Sequence, residues 1–155
     1  MIDTDEFEYV GFWVRVGAAV VDSLLLIAII APVAYAIYGP TYFDSTQLIA
    51  GPVDFLLSWV LPAVAVIVFW LTKQATPGKM LFGARIVDAQ TGNPLSTGQS
   101  IGRYFAYYVS AIPLMLGYLW VAFDPRKQGW HDKLAGTVVV RKVTSGQPVR
   151  FEARG

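Results

Sequence analysis

In a chain of 155 residues, 55% hydrophobic side chains and only 15% charged ones are too apolar for a soluble domain, which carries charge on about a quarter of its residues. The length holds one compact unit and excludes a large transporter body or a second folded domain beside membrane spans. The absence of Cys removes disulfides, thiolate metal sites and cysteine nucleophiles together, and the net charge of +1 conceals a segregation along the chain.

Residues 1 to 9 carry Asp3, Asp5, Glu6 and Glu8 with no basic residue. A cleaved signal peptide begins with positive charge, so the first apolar segment is expected to stay in the mature protein. A first span is predicted from Phe12 or Gly17 to Tyr38, stopped by Gly39-Pro40. It overlaps 21 consecutive residues without a charge, Ser23 to Phe43, and about 20 apolar residues are what a helix needs to cross the hydrocarbon core. Phe12 and Trp13 at one margin, and Tyr35, Tyr38, Tyr42 and Phe43 at the other, suit the two water interfaces. A second span is predicted from about Val53 to Thr72, its 18 uncharged residues covering about 27 Å. Pro62 within it predicts a kink of a kind that membrane neighbours tolerate.

Charge orients these spans. Residues 39 to 54 contain Asp44 and Asp54 but no Lys or Arg, whereas residues 73 to 103 contain Lys73, Lys79, Arg85 and Arg103 against Asp88 alone. Cytoplasmic loops carry the excess of basic residues, so the first loop is expected outside and the second in the cytoplasm. Tyr104 to Phe123 forms a third apolar segment of 20 uncharged residues, but the chain after it is strongly basic. A simple third crossing would place that basic stretch outside. Pro113 and Gly117 also break the segment, which can be read as two half-helices that dip in and return.

Ala84-Arg-Ile-Val-Asp-Ala89 alternates apolar and polar residues and runs into the turn signature Thr91-Gly-Asn-Pro94, while Gly136-Thr-Val-Val-Val-Arg-Lys-Val143 is rich in β-branched residues. Both read as short strands and are natural mates. If they pair, the segment between them makes an even number of crossings or none. The expected fold is therefore mainly α and integral to the membrane: two transmembrane helices, a third apolar segment and a cytoplasmic strand pair. The third segment is read as a re-entrant or interfacial helical pair, with a third span as the alternative. One domain is expected over residues 1 to 143, followed by a basic, flexible C-terminal tail over 144 to 155, with both termini on the cytoplasmic side of the cell (inner) membrane.

An ionisable residue inside a membrane helix requires a reason, which singles out Asp22. Gly11, Arg15, Ala18, Asp22 and Ile29 fall on one helix face, with Ala19 and Leu26 beside it. Small side chains let another helix approach closely, so this stripe is expected against protein rather than lipid. Arg15 and Asp22 lie about 10.5 Å apart along the axis, bridgeable by the long arginine, a water or a third group.

The residues Gly11-Phe-Trp-Val-Arg15 and Asp22, Thr76-Pro-Gly-Lys-Met-Leu-Phe-Gly83 with Arg85-Ile-Val-Asp88, and Asp124 to Val140 resemble the RDD family, named for one arginine and two aspartates. The resemblance covers most of the chain. It puts the family arginine on Arg15, the first aspartate on Asp22 and the second on Asp132 in His-Asp-Lys-Leu-Ala-Gly-Thr, with Asp124 as the second candidate. It implies a small multi-pass membrane protein, with sodium/proton antiport in some members and assembly of membrane complexes in others.

Each constellation has a structural reading beside the functional one. Arg15 and Asp22 form either an ion or proton site or a mutually neutralising pair that fixes helix orientation. Thr76-Pro-Gly-Lys79 lacks the full phosphate-binding loop and reads as the turn ending span two. His131 beside Asp132 reads as an interfacial hydrogen-bonding pair, since one His without Cys offers too few ligands for a zinc site. Without a nucleophile elbow or dinucleotide fingerprint, no enzyme and no cofactor are expected. The basic tail suits anionic lipid headgroups better than nucleic acid. Two functions follow: monovalent cation/proton antiport by an oligomer, with Na+, K+ or H+ handled at Asp22 and Asp132, or a non-catalytic module that docks other membrane proteins.

Overall fold

The computed structural model describes residues 6–143 together with 149 and 151. Helix α1 runs unbroken from Phe12 to Tyr38. Gly39, at φ 77°, ends it in a left-handed conformation that costs glycine little, and its N–H donates to the Tyr35 carbonyl. The second apolar helix is assembled from α2 (Pro52–Phe55), a π-helical turn (Leu56–Val60) and α3 (Leu61–Lys73). Pro62 lacks the N–H that would reach back to Ser58 and its ring would crowd that carbonyl, so the helix widens just before it. The short α4 (Pro77–Leu81) follows after Gln74 turns the chain.

Helix α5 (Thr97–Ala111) starts at a capping box in which Ser96 Oγ accepts from Gln99 N at 3.2 Å and Gln99 Oε1 accepts from Ser96 N at 3.0 Å. Beyond Pro113, Leu114 and Met115 adopt positive φ and α6 (Leu116–Leu119) leads into a 3₁₀ turn, bending the apolar pair by 108°. The third apolar segment is thus the expected pair of half-helices, but it begins at Thr97 rather than Tyr104. Arg103, counted above among the basic residues of the loop expected in the cytoplasm, lies inside α5 and is fully buried.

The two predicted strands form β2 (Arg85–Asp88) and β3 (Thr137–Lys142), paired antiparallel with Arg85 opposite Val140 and Asp88 opposite Thr137. A third strand, β1 (Phe7–Tyr9), pairs with the other edge of β3, giving the order β1-β3-β2. Val138 and Val140 face a cluster with Phe7, Val87 and Val149, while Val139 faces Val10, Trp70, Ile86 and Leu95. Burial on both faces explains why β3 reads as a continuous β-branched run. Helix α7 (Trp130–Ala135) enters β3 through Gly136. Most of the expected C-terminal tail lies outside the described residues; Val149 donates its N–H to the Phe7 carbonyl at 2.8 Å, and Phe151 packs on the same cluster.

The fold is mainly helical, with two long apolar helices, a bent apolar pair and a small three-stranded antiparallel sheet. Only 6% of the most apolar stretch of either long helix is buried, so their sides face lipid or partner proteins. The sheet constrains the topology. β1 precedes both long helices, β2 follows them and β3 follows the bent pair, yet all three lie in one sheet, with the apolar helices amounting to two or three spans. Single cysteines replacing Ser45, Gln90 and Lys142 are expected to separate accordingly under an impermeant thiol reagent. Position 45 should label in intact cells and the other two only after permeabilisation; labelling of position 142 from outside would contradict the shared sheet.

Candidate functional site: a buried arginine–aspartate network

The chain leaves β1 through buried Val10 and enters α1, which places Arg15 in the first turns of the helix. Its guanidinium spreads over three acceptors: Nε donates to the Val10 carbonyl at 3.1 Å, Nη1 to Asp132 Oδ2 at 2.6 Å and Nη2 to the Lys127 carbonyl at 2.6 Å. Asp132 sits in the first turn of α7, where Oδ2 also accepts the Gly129 N–H at 2.9 Å. Its other oxygen, Oδ1, forms an ion pair with Arg103 from α5. Arg103 in turn donates to Thr137 Oγ1 at the start of β3, and its guanidinium lies 5.5 Å from the Trp70 ring centre and 5.6 Å from that of Tyr107.

One carboxylate therefore joins α1, α5 and α7, and Arg103 carries the link on to β3. Burial works against the charge on Asp132, but the flanking Arg103 and Arg15 guanidiniums overcome it and hold the carboxyl far below the usual range. His131, the next residue, is buried: its Nδ1 lies 3.2 Å from Ser110 Oγ, its own N–H donates to the same oxygen, and its ring stacks on Tyr107 at 4.4 Å. Desolvation is the largest influence on this imidazole and outweighs the attraction of Asp132, so its pKa is pushed down to about 3 and it stays neutral.

Asp22 is not part of this network. Its Oδ2 accepts from the Thr76 hydroxyl at 2.5 Å and its Oδ1 from the Gly78 N–H at 2.7 Å, so it caps the N-terminal turn of α4 from the side. Gly78 is required by the close approach: a Cβ there would lie 2.0 Å from the Ala18 carbonyl oxygen and 2.9 Å from Asp22 Cγ. The expected small-residue stripe is thus filled by α4 at Ala18 and Asp22, and not by another long helix; farther out, Ile29 is 61% exposed.

The expected contact between Arg15 and Asp22 is corrected. Helical side chains lean toward the N-terminus, so Arg15 points away from Asp22 and toward the Val10 carbonyl. Asp124, the second candidate for the family aspartate, pairs with Lys133 at 2.5 Å and accepts the Arg126 and Gln128 N–H groups, organising the turn before α7. Lys79 lies in α4, half-buried, where its charge adds to the positive field on His131. Among the described residues, no group of three or more His, Asp or Glu side chains is arranged to hold a metal ion.

Sequence reasoning missed Arg103 because a charge was taken to end the apolar segment. The signal was present: Ser96 and Gln99 form a capping box in sequence, and a helix started there puts Ser100, Arg103, Ala106 and Ser110 on one face, all of them buried.

These contacts predict a pattern of coupling. Asp132→Asn leaves two buried guanidiniums facing each other and should destabilise the detergent-solubilised protein by about 3 to 5 kcal/mol. In double-mutant cycles, Arg15→Gln should couple strongly to Asp132→Asn, whereas with Asp22→Asn it should add to within about 0.5 kcal/mol. Equal coupling in both cycles would sink this assignment. His131 sets a pH dependence. Its folded pKa of about 3 lies below the ordinary value of 6.5, so below pH 6.5 the unfolded chain takes up a proton that the folded chain refuses. Stability should therefore fall with acid by up to about 1.4 kcal/mol per pH unit. Asp132 loses its contribution only at lower pH, from its unfolded value of about 3.9 downward, so the slope between pH 6.5 and about 4.5 belongs to the imidazole. His131→Gln should flatten it, and an unchanged slope would assign the proton elsewhere.

A model of the RDD family matches residues 9–136. The uncharacterized protein YxaI of Bacillus subtilis is 33% identical over 148 residues, covering 85% of this chain and 97% of the relative. The uncharacterized membrane protein YteJ of the same organism is 30% identical over 86% of this chain and 82% of its own length. The proline-rich antigen of Mycobacterium leprae is 24% identical over 82% of this chain, which spans 59% of that protein. No solved structure matches. With the family model spanning both long helices, the bent pair and the Arg15–Asp132 network, this chain belongs to the RDD family of membrane proteins.

Proposed function

We propose that the chain is a non-catalytic membrane assembly module that docks other membrane proteins along the sides of its two long helices, with its sheet and both termini in the cytoplasm. The observation that carries this reading is the employment of all three family residues inside the chain. Arg15 and Asp132 hold each other, and both oxygens of Asp22 are taken by Thr76 and Gly78. The charges then serve to lock the sheet side of the fold, and the apolar sides of α1 and α3, including Leu24, Ile27 and Val64, are left for partners. The match to the Mycobacterium leprae relative, which leaves a good part of that longer protein outside the alignment, is in keeping with a module joined to other sequence.

Asp22 supports a second reading. Its carboxylate is held by two neutral donors, a hydroxyl and an amide, and makes no ion pair among the described residues. Such a group can exchange a proton for a monovalent cation without first breaking a salt bridge. Two spans enclose no pathway, so antiport requires an oligomer, with Asp132 as the second carboxylate. Liposomes holding only the purified chain separate the readings. The module reading predicts that an imposed pH gradient decays as in empty liposomes whether Na+ or K+ is present, and that Asp22→Asn weakens partner recovery in detergent. Cation-dependent collapse of the gradient that Asp22→Asn abolishes, in a protein that remains folded, would replace it with antiport.

A further inference from the structure

A cavity of about 650 Å³ opens where the second long helix ends, between Thr72–Ala75, the connection from α4 into β2 and the far end of β3. Four cationic residues line it: Lys73, Arg85, Arg141 and Lys142. Among the described residues no Asp or Glu lines it, although Glu8 reaches Arg141 from the neighbouring strand at 2.7 Å. The sheet register explains the gathering. Arg85, the first residue of β2, lies opposite Val140, so Arg141 and Lys142 overhang the end of β2 toward the helix that delivers Lys73. Lys73 and Arg85 bring their charges to the same concavity as Arg141 and Lys142, and a bound anion is favoured where positive charge is gathered in this way.

We infer that this cavity binds the phosphate headgroup of an anionic phospholipid. The position favours a lipid over a soluble phosphate compound. Lys73 is the last residue of the apolar helix, the level at which a span meets the headgroups. Met80 and Phe82 line the same cavity and are 43% and 38% exposed, offering apolar surface where acyl chains begin. A free phosphate gains nothing from those side chains. Arg85 and Arg141 supply the planar forks that suit phosphate oxygens, and the lysines supply point charges. The site is distinct from the Arg15–Asp132 network and does not depend on the docking role proposed above.

The test uses the full chain in neutral detergent, with thermal unfolding as one readout and intact-protein mass spectrometry under native conditions as the other. Phosphatidylglycerol should raise the unfolding midpoint and remain as a one-to-one adduct, while phosphatidylcholine should do neither. Lys73→Gln combined with Arg85→Gln should weaken the apparent affinity at least tenfold, and Lys127→Gln, which removes a cation elsewhere, should leave it unchanged. Equal stabilisation by the two lipids, or equal phosphatidylglycerol binding by wild type and double variant, overturns the inference. Inorganic phosphate that alone reproduces the stabilisation, at concentrations that displace the lipid, would make this a soluble-phosphate site. Should the double variant not fold, the wild-type comparison of the two lipids and of phosphate decides by the same criteria.

Discussion

A carboxylate pressed between two guanidiniums, in a space that water barely enters, is the interaction on which the sheet side of this fold depends. Asp132 has no exposed side-chain surface and Arg103 has none, while Arg15 keeps 11%. Taken singly, each of these charges is expensive to bury, and a salt bridge in such a place is not in itself a source of stability. Several of the remaining polar atoms are also engaged, by the Val10 and Lys127 carbonyls, the Gly129 N–H and Thr137, while Arg103 Nε is buried without a hydrogen-bond partner. The result is directional: removing any one charge exposes the cost of the others. That is a device for choosing one arrangement of α1, α5 and α7 among several that apolar packing alone would permit.

Asp22 does a different job with the same chemistry. By accepting the amide of Gly78 and the hydroxyl of Thr76, it ties the end of the second long helix against the first. The two aspartates therefore act at separate joints: one fixes α4 to α1, the other fixes α7 to α1 and α5. Between them they turn two spans that barely touch along their length into a unit held together at one end. The opposite ends meet through a lesser device, Asp54, which accepts from Tyr42, Ala50 and Ser58 and whose N–H donates to Tyr38.

The membrane helices were legible in the sequence because a bilayer demands long uncharged runs, a signal that survives any tertiary detail. The pairing of residues 85–88 with 137–142 was legible for a related reason: β-branched alternation leaves few other roles for such segments. β1 escaped notice although Phe7-Glu8-Tyr9 alternates, since three residues among acidic neighbours carry almost no pattern. The partner of Arg15 escaped for a deeper reason. Helical spacing makes Asp22 the nearest opposite charge on Arg15's own helix, but the residue that meets Arg15 is 117 positions away, and no local rule reaches that far. The direction in which a helical side chain leans does disfavour the near partner, because it turns Arg15 toward the N-terminal end of its helix and away from Asp22.

The central position of β3 has a consequence for how the molecule comes into being. This strand is the last element of the sheet to be synthesised, yet both other strands join the sheet by pairing with it, and Phe7 must wait for Lys142. On a ribosome that releases the chain from its N-terminus, β1 and Arg15 emerge long before either has a partner. Arg15 meanwhile can keep its charge in the headgroup region by stretching along its aliphatic stem. Both long helices are therefore inserted before the sheet exists, and the closing of β3 between β1 and β2, with Asp132 arriving just ahead of it, acts as the final latch on a chain already threaded through the membrane.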